Sequence, residues 1–156
     1  MKRKLIISGH SNGLGRALAE YYLRRGDEVL GLSRRRVAVE PSEKLQQHII
    51  DLSDSAAVAA LLSDGLIADF MHAADEVVLI NNAGTVQPSA MLGRQNDAEI
   101  IASAALNITA PLLLANEACR QKPANAVLKI VHISSGAGRN AYPGWSVYGA
   151  GKAALD

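Results

Sequence analysis

The sequence predicts an α/β fold in which helices cover both faces of a doubly wound parallel sheet. Short β-branched runs alternate with longer helical patterns, and several runs, including LIIS, VVLIN and KIVHIS, are mainly apolar and do not alternate between apolar and polar residues. Continuously apolar strands are typical of parallel sheets that are buried on both faces. Strand–helix alternation then gives right-handed crossovers between neighbouring strands.

Five strands are expected, one fewer than in the six-strand version of this fold, whose order is 3-2-1-4-5-6. They are placed at residues 5–8, 28–33, 47–51, 77–81 and 127–134.

The first helical pattern, LGRALAEYYLRRG, follows the first strand. Leu14, Leu18 and Tyr22 recur every four residues, so they are expected on its buried face. Gly26 is placed for a left-handed C-cap. A second helix is expected to begin at Ser53 or Asp54.

The third helix is expected over residues 97–120 and contains Pro111. Proline lacks the N–H that would bond the carbonyl four residues earlier, which belongs to Asn107. We therefore expect a kink that leaves this carbonyl open to hold a water, which would feed a proton relay towards Lys152.

Composition excludes several classes of protein. Of the 156 residues, 49% are hydrophobic and 20% charged, which argues against a disordered, collagen-like or coiled-coil chain. A net charge of +1 and few aromatic residues argue against a nucleic-acid partner. Cys119 is the single cysteine, and no run approaches 18 uninterrupted apolar residues. We therefore expect one soluble, cytoplasmic domain over residues 1–156, with no membrane partner.

A glycine-rich turn, SGHSNGLG, joins the first strand to the first helix. Its glycines permit a tight turn and a close approach of the backbone to a pyrophosphate, which the helix N-terminus also attracts. The turn predicts a dinucleotide site. The contacts expected here are Gly9, Ser11, Asn12, Gly13, Leu14 and Gly15.

The end of the second strand indicates which dinucleotide binds. An acidic residue there would accept a hydrogen bond from the ribose 2′-OH and select NAD. Arg34, Arg35 and Arg36 stand there instead, and a guanidinium suits a 2′-phosphate. NADP(H) is therefore favoured, with Arg34 as its contact, while Arg35 and Arg36 could equally form a solvated basic loop.

Further motifs follow in order along the chain. Asp51-Leu52 ends the third strand, NNAG occupies residues 81–84, and ISSGAGRNAYPGWSVYGAGKAALD closes the chain. Together with the GxxxGxG turn, they resemble the short-chain dehydrogenase/reductase family. INNAGTVQP and the Gly-Trp pair before Tyr148 are similar to its sepiapterin reductase and benzil reductase group.

The resemblance implies a Rossmann-like fold, an NADP(H)-dependent oxidoreductase, a small carbonyl substrate and a homo-oligomer. The implied catalytic residues are Asn107, Ser135, Tyr148 and Lys152. The implied further cofactor contacts are Asp51, Leu52, Asn82, Ala83, Gly84, Tyr148 and Lys152.

Tyr148 and Lys152 lie four residues apart, so they share one face of a helix. A free phenol has a pKa of about 10, and a neighbouring ammonium favours its phenolate form. Tyr148 is thus a plausible general acid for carbonyl reduction. Ser135 ends the fifth strand, where its hydroxyl can donate to the substrate oxygen, whereas Ser134 points to the other side.

The four histidines lack metal-ligand spacing, so no metal is expected. His10 is expected to approach the pyrophosphate, and His132 is expected to be a satisfied core residue. Trp145 either walls the substrate pocket or anchors its loop to the sheet.

The leading interpretation is an NADPH-dependent reductase that transfers hydride to a ketone or diketone, with a tyrosine as general acid. The alternatives are a 3-oxoacyl-thioester reductase of the same family and a non-catalytic NADP(H)-binding module. A protein that only binds NADP(H) does not need a hydroxyl to contact a substrate oxygen, so the presence of Ser135 argues against the non-catalytic module.

The last expectation concerns the end of the chain at Asp156, four residues after Lys152. A helix around Tyr148 would be barely two turns long, below the roughly 12 residues at which isolated helices become marginal. The fifth strand would expose an unpaired edge and the apolar face of KIVHIS. We expect a truncated portion of a longer reductase chain that alone binds NADP(H) weakly, with little or no turnover.

Overall fold

The computed structural model describes residues 1–40 and 43–156, and five parallel strands form one sheet in them. The strands are β1 (Arg3–Ser8), β2 (Glu28–Ser33), β3 (Leu45–Ile49), β4 (Glu76–Asn81) and β5 (Val127–His132). Their order is β3-β2-β1-β4-β5, with parallel pairing throughout. This is the first five-strand portion of the predicted order, so the predicted fold class is confirmed.

Six α-helices accompany the sheet in the described part of the chain. They are α1 (Gly13–Arg24), α2 (Ser55–Ser63), α3 (Leu66–Met71), α4 (Asp97–Ala104), α5 (Ala110–Gln121) and α6 (Ser146–Ala153). The helix α3 is short and was not expected from the sequence; it follows Gly65, which has a left-handed conformation. Asp54 rather than Ser53 caps α2, accepting hydrogen bonds from the backbone N–H groups of Ala56 and Ala57.

The core lies on both faces of the sheet, as a doubly wound fold requires. Leu5 and Ile7 of β1 belong to the cluster under α1, whereas Ile6 between them belongs to the cluster under α2, α3 and α5. Successive strand side chains point to opposite faces, so a strand buried on both sides must be apolar throughout. This explains why LIIS and VVLIN do not alternate.

The predicted buried face of α1 is confirmed in part, because Leu18 and Tyr22 are partly buried and pack against the core cluster under this helix, whereas Leu14 does not. Leu14 is 53% exposed, while the buried residues of this helix are Gly15, Ala19 and Leu23. Small residues at 15 and 19 let the helix approach the sheet closely, so they determine which side faces inward. The predicted C-cap at Gly26 is confirmed by its φ of +84°.

The predicted kink near Asn107 takes the form of a π-helical turn at Ala105–Thr109, between α4 and α5. Pro111 follows in the first turn of α5 and supplies no N–H to the preceding turn. Such π-turns are frequent at functional sites. The long helix is therefore not a regular α-helix at Asn107.

The combined helical segment Asp97–Gln121 contains an 18-residue window with a mean hydropathy of 1.6, so it is long and apolar enough to cross a membrane by length and composition alone. Core helices of soluble proteins meet the same criteria. Here the α5 part packs against β4, β5, α2 and α3.

The strand β5 lies at the edge of the sheet and is largely exposed. Val127 and Val131 keep 54% and 41% of their surface accessible. The exposed apolar face expected for KIVHIS is thus present.

Candidate active site

A cleft of about 500 Å³ opens at the carboxyl ends of β1 to β4. This volume is typical of sites for small ligands and cofactors. The predicted cofactor contacts that line it are Gly9, Ser11, Asn12, Arg34, Asp51, Leu52, Asn82, Ala83 and Gly84. Five other predicted contacts do not line it: Gly13, Leu14, Gly15, Tyr148 and Lys152.

The glycine-rich turn is held close to the end of β4. The Asn82 side chain donates to the carbonyl oxygens of Ser8 and Gly9, at 3.0 and 3.2 Å. The Ser8 hydroxyl in turn accepts from the backbone N–H groups of Asn82 and Ala83. A Cβ at Gly15 would overlap the Gly9 carbonyl oxygen and the Asn82 side-chain nitrogen, so only glycine fits there. Gly15 therefore acts by permitting this contact and not by lining the cleft.

The basic loop after β2 borders the cleft through two of its three arginines. Arg34 and Arg35 line it and are exposed, whereas Arg36 does not line it. Opposite them, hydrogen bonds from the Ser53 hydroxyl and backbone N–H lower the pKa of Asp51, and the nearby Arg34 charge acts in the same direction. This rim of the cleft thus combines guanidinium groups with an ionised carboxylate.

Asn107 is 2% exposed and uses its side chain to hold the segment after β4. Its Oδ1 accepts from the Thr85 N–H at 3.0 Å, and its Nδ2 donates to the Thr85 carbonyl at 2.8 Å. The same Nδ2 donates to the Ser103 hydroxyl at 3.0 Å. Because Thr85 and Ser103 both line the cleft, Asn107 determines the shape of its inner end.

Lys152 lies beneath the same inner end and is 7% exposed. Its Nζ donates to the Ile133 carbonyl at 2.7 Å and lies 5.7 Å from the centroid of the Tyr148 ring. Gly84 separates it from Asn107, since a Cβ there would lie 3.5 Å from Lys152 Nζ and 3.0 Å from Asn107 Oδ1. The structure therefore brings Asn107, Lys152 and the NNAG segment together.

His132, at the end of β5, is half-buried. Burial lowers its pKa, and the positive charge of Lys152 adds to this effect. The ring Nδ1 pairs with the Asn81 side-chain nitrogen at 3.2 Å, and that nitrogen also donates to the Pro111 carbonyl. His132 therefore has the hydrogen-bond partner predicted for it, but it is not a core residue, because β5 is an exposed edge strand.

Tyr148 is half-buried and stands at the end of a row of three aromatic rings. The Trp145 ring lies edge-on to it, with centroids 5.6 Å apart, and Tyr142 lies 5.5 Å beyond Trp145. Trp145 Nε1 donates to the Ser89 hydroxyl at 3.0 Å, so Trp145 anchors this loop. The half-buried Ser135 accepts from the Ala137 N–H, and Ser134 instead contacts the Asp156 carboxylate.

Several cleft residues were not singled out from the sequence, among them Thr85, Gln87, Glu99, Ser103 and Leu106. Ser103 carries one usable signal, because it precedes Asn107 by four residues and so shares its helix face. The residue type at position 85 gives no such signal, because Asn107 bonds to the backbone N–H and carbonyl of Thr85, which every non-proline residue has.

The predicted position of His10 is wrong. Its side chain does not line the cleft but is 1% exposed and packs against Gly31 of β2. A Cβ at Gly31 would lie 2.5 Å from the His10 ring, so the missing side chain makes room for the imidazole.

Replacing Gly31 by Ala is accordingly expected to destabilise the fold by about 1–3 kcal/mol, because overpacking a closed core displaces its neighbours. Chemical denaturation measures this loss. Gly136→Ala is the control, since its added methyl would meet no side chain closer than 3.7 Å. A Gly31→Ala protein as stable as the wild type would contradict the close fit of His10.

Comparisons with known proteins cover nearly the whole chain. A benzil reductase ((S)-benzoin forming) from Bacillus subtilis is 38% identical over 152 residues, which are 97% of this chain and 62% of that protein. A sepiapterin reductase from Mus musculus is 30% identical, with 97% of this chain and 64% of that protein covered. The chain thus spans somewhat less than two thirds of the length of these curated relatives.

Solved structures agree with the fold. A short-chain dehydrogenase/reductase from Burkholderia vietnamiensis superposes with a TM-score of 0.96 at 44% identity, covering 99% of this chain and 73% of that one. A metagenomic short-chain oxidoreductase in complex with NADP gives 0.83 at 30% identity, covering 98% and 70%. A 4-hydroxyisoleucine dehydrogenase complexed with NADH and succinate gives 0.82 at 28% identity, covering 97% and 67%. The family profile described as short chain dehydrogenase matches residues 3–156, and the chain belongs to that family of oxidoreductases.

Proposed function

We propose that the whole protein is a cytoplasmic, NADPH-dependent reductase that converts a ketone or diketone to an alcohol. One observation carries this proposal: Gly84, at the inner end of the cleft, lies between Asn107 Oδ1 and Lys152 Nζ. If the cleft holds a dinucleotide, its inner end would bring the cofactor close to α6, the helix that bears Tyr148 and Lys152.

The residues present suit a phosphorylated dinucleotide. The glycine turn leaves backbone free of side chains at the N-terminus of α1, which attracts phosphate. Arg34 would hold the 2′-phosphate, Asp51 and Leu52 the adenine, and Lys152 the ribose beside the nicotinamide. Relatives of known structure bind either NADP or NADH, so the preference for NADP(H) rests on Arg34 and on the lack of an acidic residue at positions 33–36, where β2 ends.

When bound, the reduced nicotinamide supplies a hydride to the carbonyl carbon. The Tyr148 hydroxyl donates its proton to the carbonyl oxygen, and the Lys152 ammonium stabilises the phenolate that remains. The Ser135 hydroxyl donates a hydrogen bond to the same oxygen as negative charge develops there. Asn107 positions the Thr85 segment around the reacting groups.

We propose aromatic carbonyl compounds as the substrate class. The row formed by Tyr142, Trp145 and Tyr148 presents ring edges and faces beside the proposed acid. The similarity to a benzil reductase and a sepiapterin reductase supports the same class. Exposed Ile101 and Leu112 on the long helix support pairing of two copies through that helix.

Turnover is tested by following NADPH absorbance with benzil, a pterin ketone and a 3-oxoacyl thioester. We expect consumption with the aromatic ketones. Faster reaction of the thioester would favour the acyl-thioester reductase, and NADPH binding without consumption of any substrate would favour the non-catalytic module.

Arg34→Asp is expected to weaken NADPH binding about 10- to 100-fold, because a charge-assisted hydrogen bond to phosphate is replaced by repulsion. NADH binding should be unchanged or tighter. Fluorescence titration measures both dissociation constants. Arg36→Asp is the matched control, since Arg36 belongs to the same loop but does not line the cleft. Equal losses for both dinucleotides would show that Arg34 is structural.

A further inference from the structure

We propose that Gln47 and His10 are positioning residues that fix the arginine loop, residues 34–37, in the conformation that selects the 2′-phosphate. The selection itself rests on the proposed function. The fixing of the loop rests on contacts within the chain and can be tested separately.

Gln47 of β3 holds the end of this loop at two points. Its Oε1 accepts from the Val37 N–H and its Nε2 donates to the Val37 carbonyl, both at 2.9 Å. The side chain thus satisfies both backbone groups of one residue, as a neighbouring strand would. At the start of the loop, the Ser33 hydroxyl donates to the Arg35 carbonyl at 2.7 Å. Arg34 and Arg35 therefore project from a backbone that is fixed at both ends.

His10 reinforces the orientation of the Gln47 amide that the contacts with Val37 require. Its Nε2 lies 2.8 Å from Gln47 Oε1. Because an amide oxygen only accepts, His10 Nε2 must be the donor. If the Gln47 amide were flipped, its NH₂ group would face two donors, the His10 Nε2–H and the Val37 N–H. Its oxygen would then face the Val37 carbonyl oxygen. The His10 ring thus favours the one orientation that also pairs with Val37.

Burying the His10 ring has a free-energy cost, and the need to fill space in the core does not explain why a histidine stands there. It is 1% exposed, and its Nδ1 has no hydrogen-bond partner among residues 1–40 and 43–156. A buried polar atom without a partner is unfavourable, so an apolar side chain would suit the cavity beside Gly31 better. The donor at Nε2 is the property that an apolar residue lacks.

This arrangement connects two parts of the cofactor site. His10 follows Gly9 in the phosphate-binding turn, and Gln47 joins it to the loop that carries Arg34. A loop ordered before binding loses less conformational freedom when its guanidinium groups contact a phosphate. Loss of the Gln47 contacts should therefore weaken recognition of the 2′-phosphate and leave the rest of the site intact.

The test uses Gln47→Met, which keeps the length of the side chain and removes its hydrogen bonds. Calorimetry with 2′,5′-ADP and 5′-AMP isolates the 2′-phosphate contribution without turnover. We expect binding of 2′,5′-ADP to weaken about tenfold and binding of 5′-AMP to change less than about twofold. Limited trypsin digestion, read by mass, should show faster cleavage after Arg34, Arg35 and Arg36.

Two further variants separate this role from general instability. Gln46→Met makes the same change at the next, exposed position and should leave both readouts unchanged. His10→Phe retains a buried ring but lacks the Nε2 donor, and should shift both readouts in the same direction as Gln47→Met by a smaller amount.

Equal weakening of both nucleotides by Gln47→Met, or wild-type rates of cleavage in the loop, would overturn the proposal. Failure of the proposed function has a different signature, because the wild-type protein would then bind 2′,5′-ADP no better than 5′-AMP. That result would also remove the specificity role of Gln47, whatever the trypsin digestion shows.

Discussion

Replacing Tyr148 by Phe is expected to lower kcat for carbonyl reduction about 10²- to 10⁴-fold, the usual contribution of a positioned general acid. The phenyl ring can keep its edge-on contact with Trp145, so only the hydroxyl is lost. The dissociation constant for NADPH should therefore change less than about twofold. Steady-state kinetics with benzil and a fluorescence titration measure the two quantities.

Tyr142→Phe is the matched control, because it removes the same hydroxyl from an exposed ring of the same aromatic row. It should leave kcat nearly unchanged. If Tyr148→Phe kept more than about a tenth of the wild-type kcat, the proton would have to come from another group.

Lys152→Met is expected to impair cofactor binding and turnover together. The buried ammonium donates to the Ile133 carbonyl and lies beside the Tyr148 ring, so its loss removes a structural contact and a charge at once. We expect NADPH affinity to fall at least about tenfold and stability to fall by about 1–3 kcal/mol, since a carbonyl loses its donor. Thermal unfolding, titration and kinetics measure these effects.

Lys122→Met is the control that separates the structural role of Lys152 from its role in cofactor binding. Lys122 also donates to backbone carbonyls, those of Pro123, Ala124 and Ala126, but these residues do not line the cleft. Its replacement should lower stability and leave NADPH affinity unchanged. Equal affinity losses in the two variants would mean that Lys152 acts only through stability.

The sheet could be predicted because its signals are local. Apolar strands and capping residues depend on neighbours along the chain, and so the five strands and the caps at Asp54 and Gly26 follow from the sequence. Pro111 likewise predicted that the long helix would be irregular near Asn107. The sequence did not indicate that the irregularity would take the form of a π-helical turn.

The errors concern side chains whose direction depends on distant partners. Because His10 belongs to the phosphate-binding turn, we expected it to point into the cleft. Its ring instead lies in the interior, where it packs on Gly31 of β2 and forms a hydrogen bond with Gln47 of β3. Leu14 was misplaced because the approach of Gly15 to Gly9 and Asn82 sets the rotation of α1. The spacing of residues along the chain predicts neither the contacts of His10 nor the close approach of Gly15.

We propose that this cleft and the Tyr148–Lys152 helix together perform NADPH-dependent carbonyl reduction. The most direct measurement mixes the whole protein with NADPH and benzil and quantifies dinucleotide oxidation and benzoin in the same sample. We expect one benzoin to form for each NADPH oxidised, and NADH to be markedly less effective. Binding of NADPH without formation of an alcohol from benzil or any other aromatic ketone would contradict it.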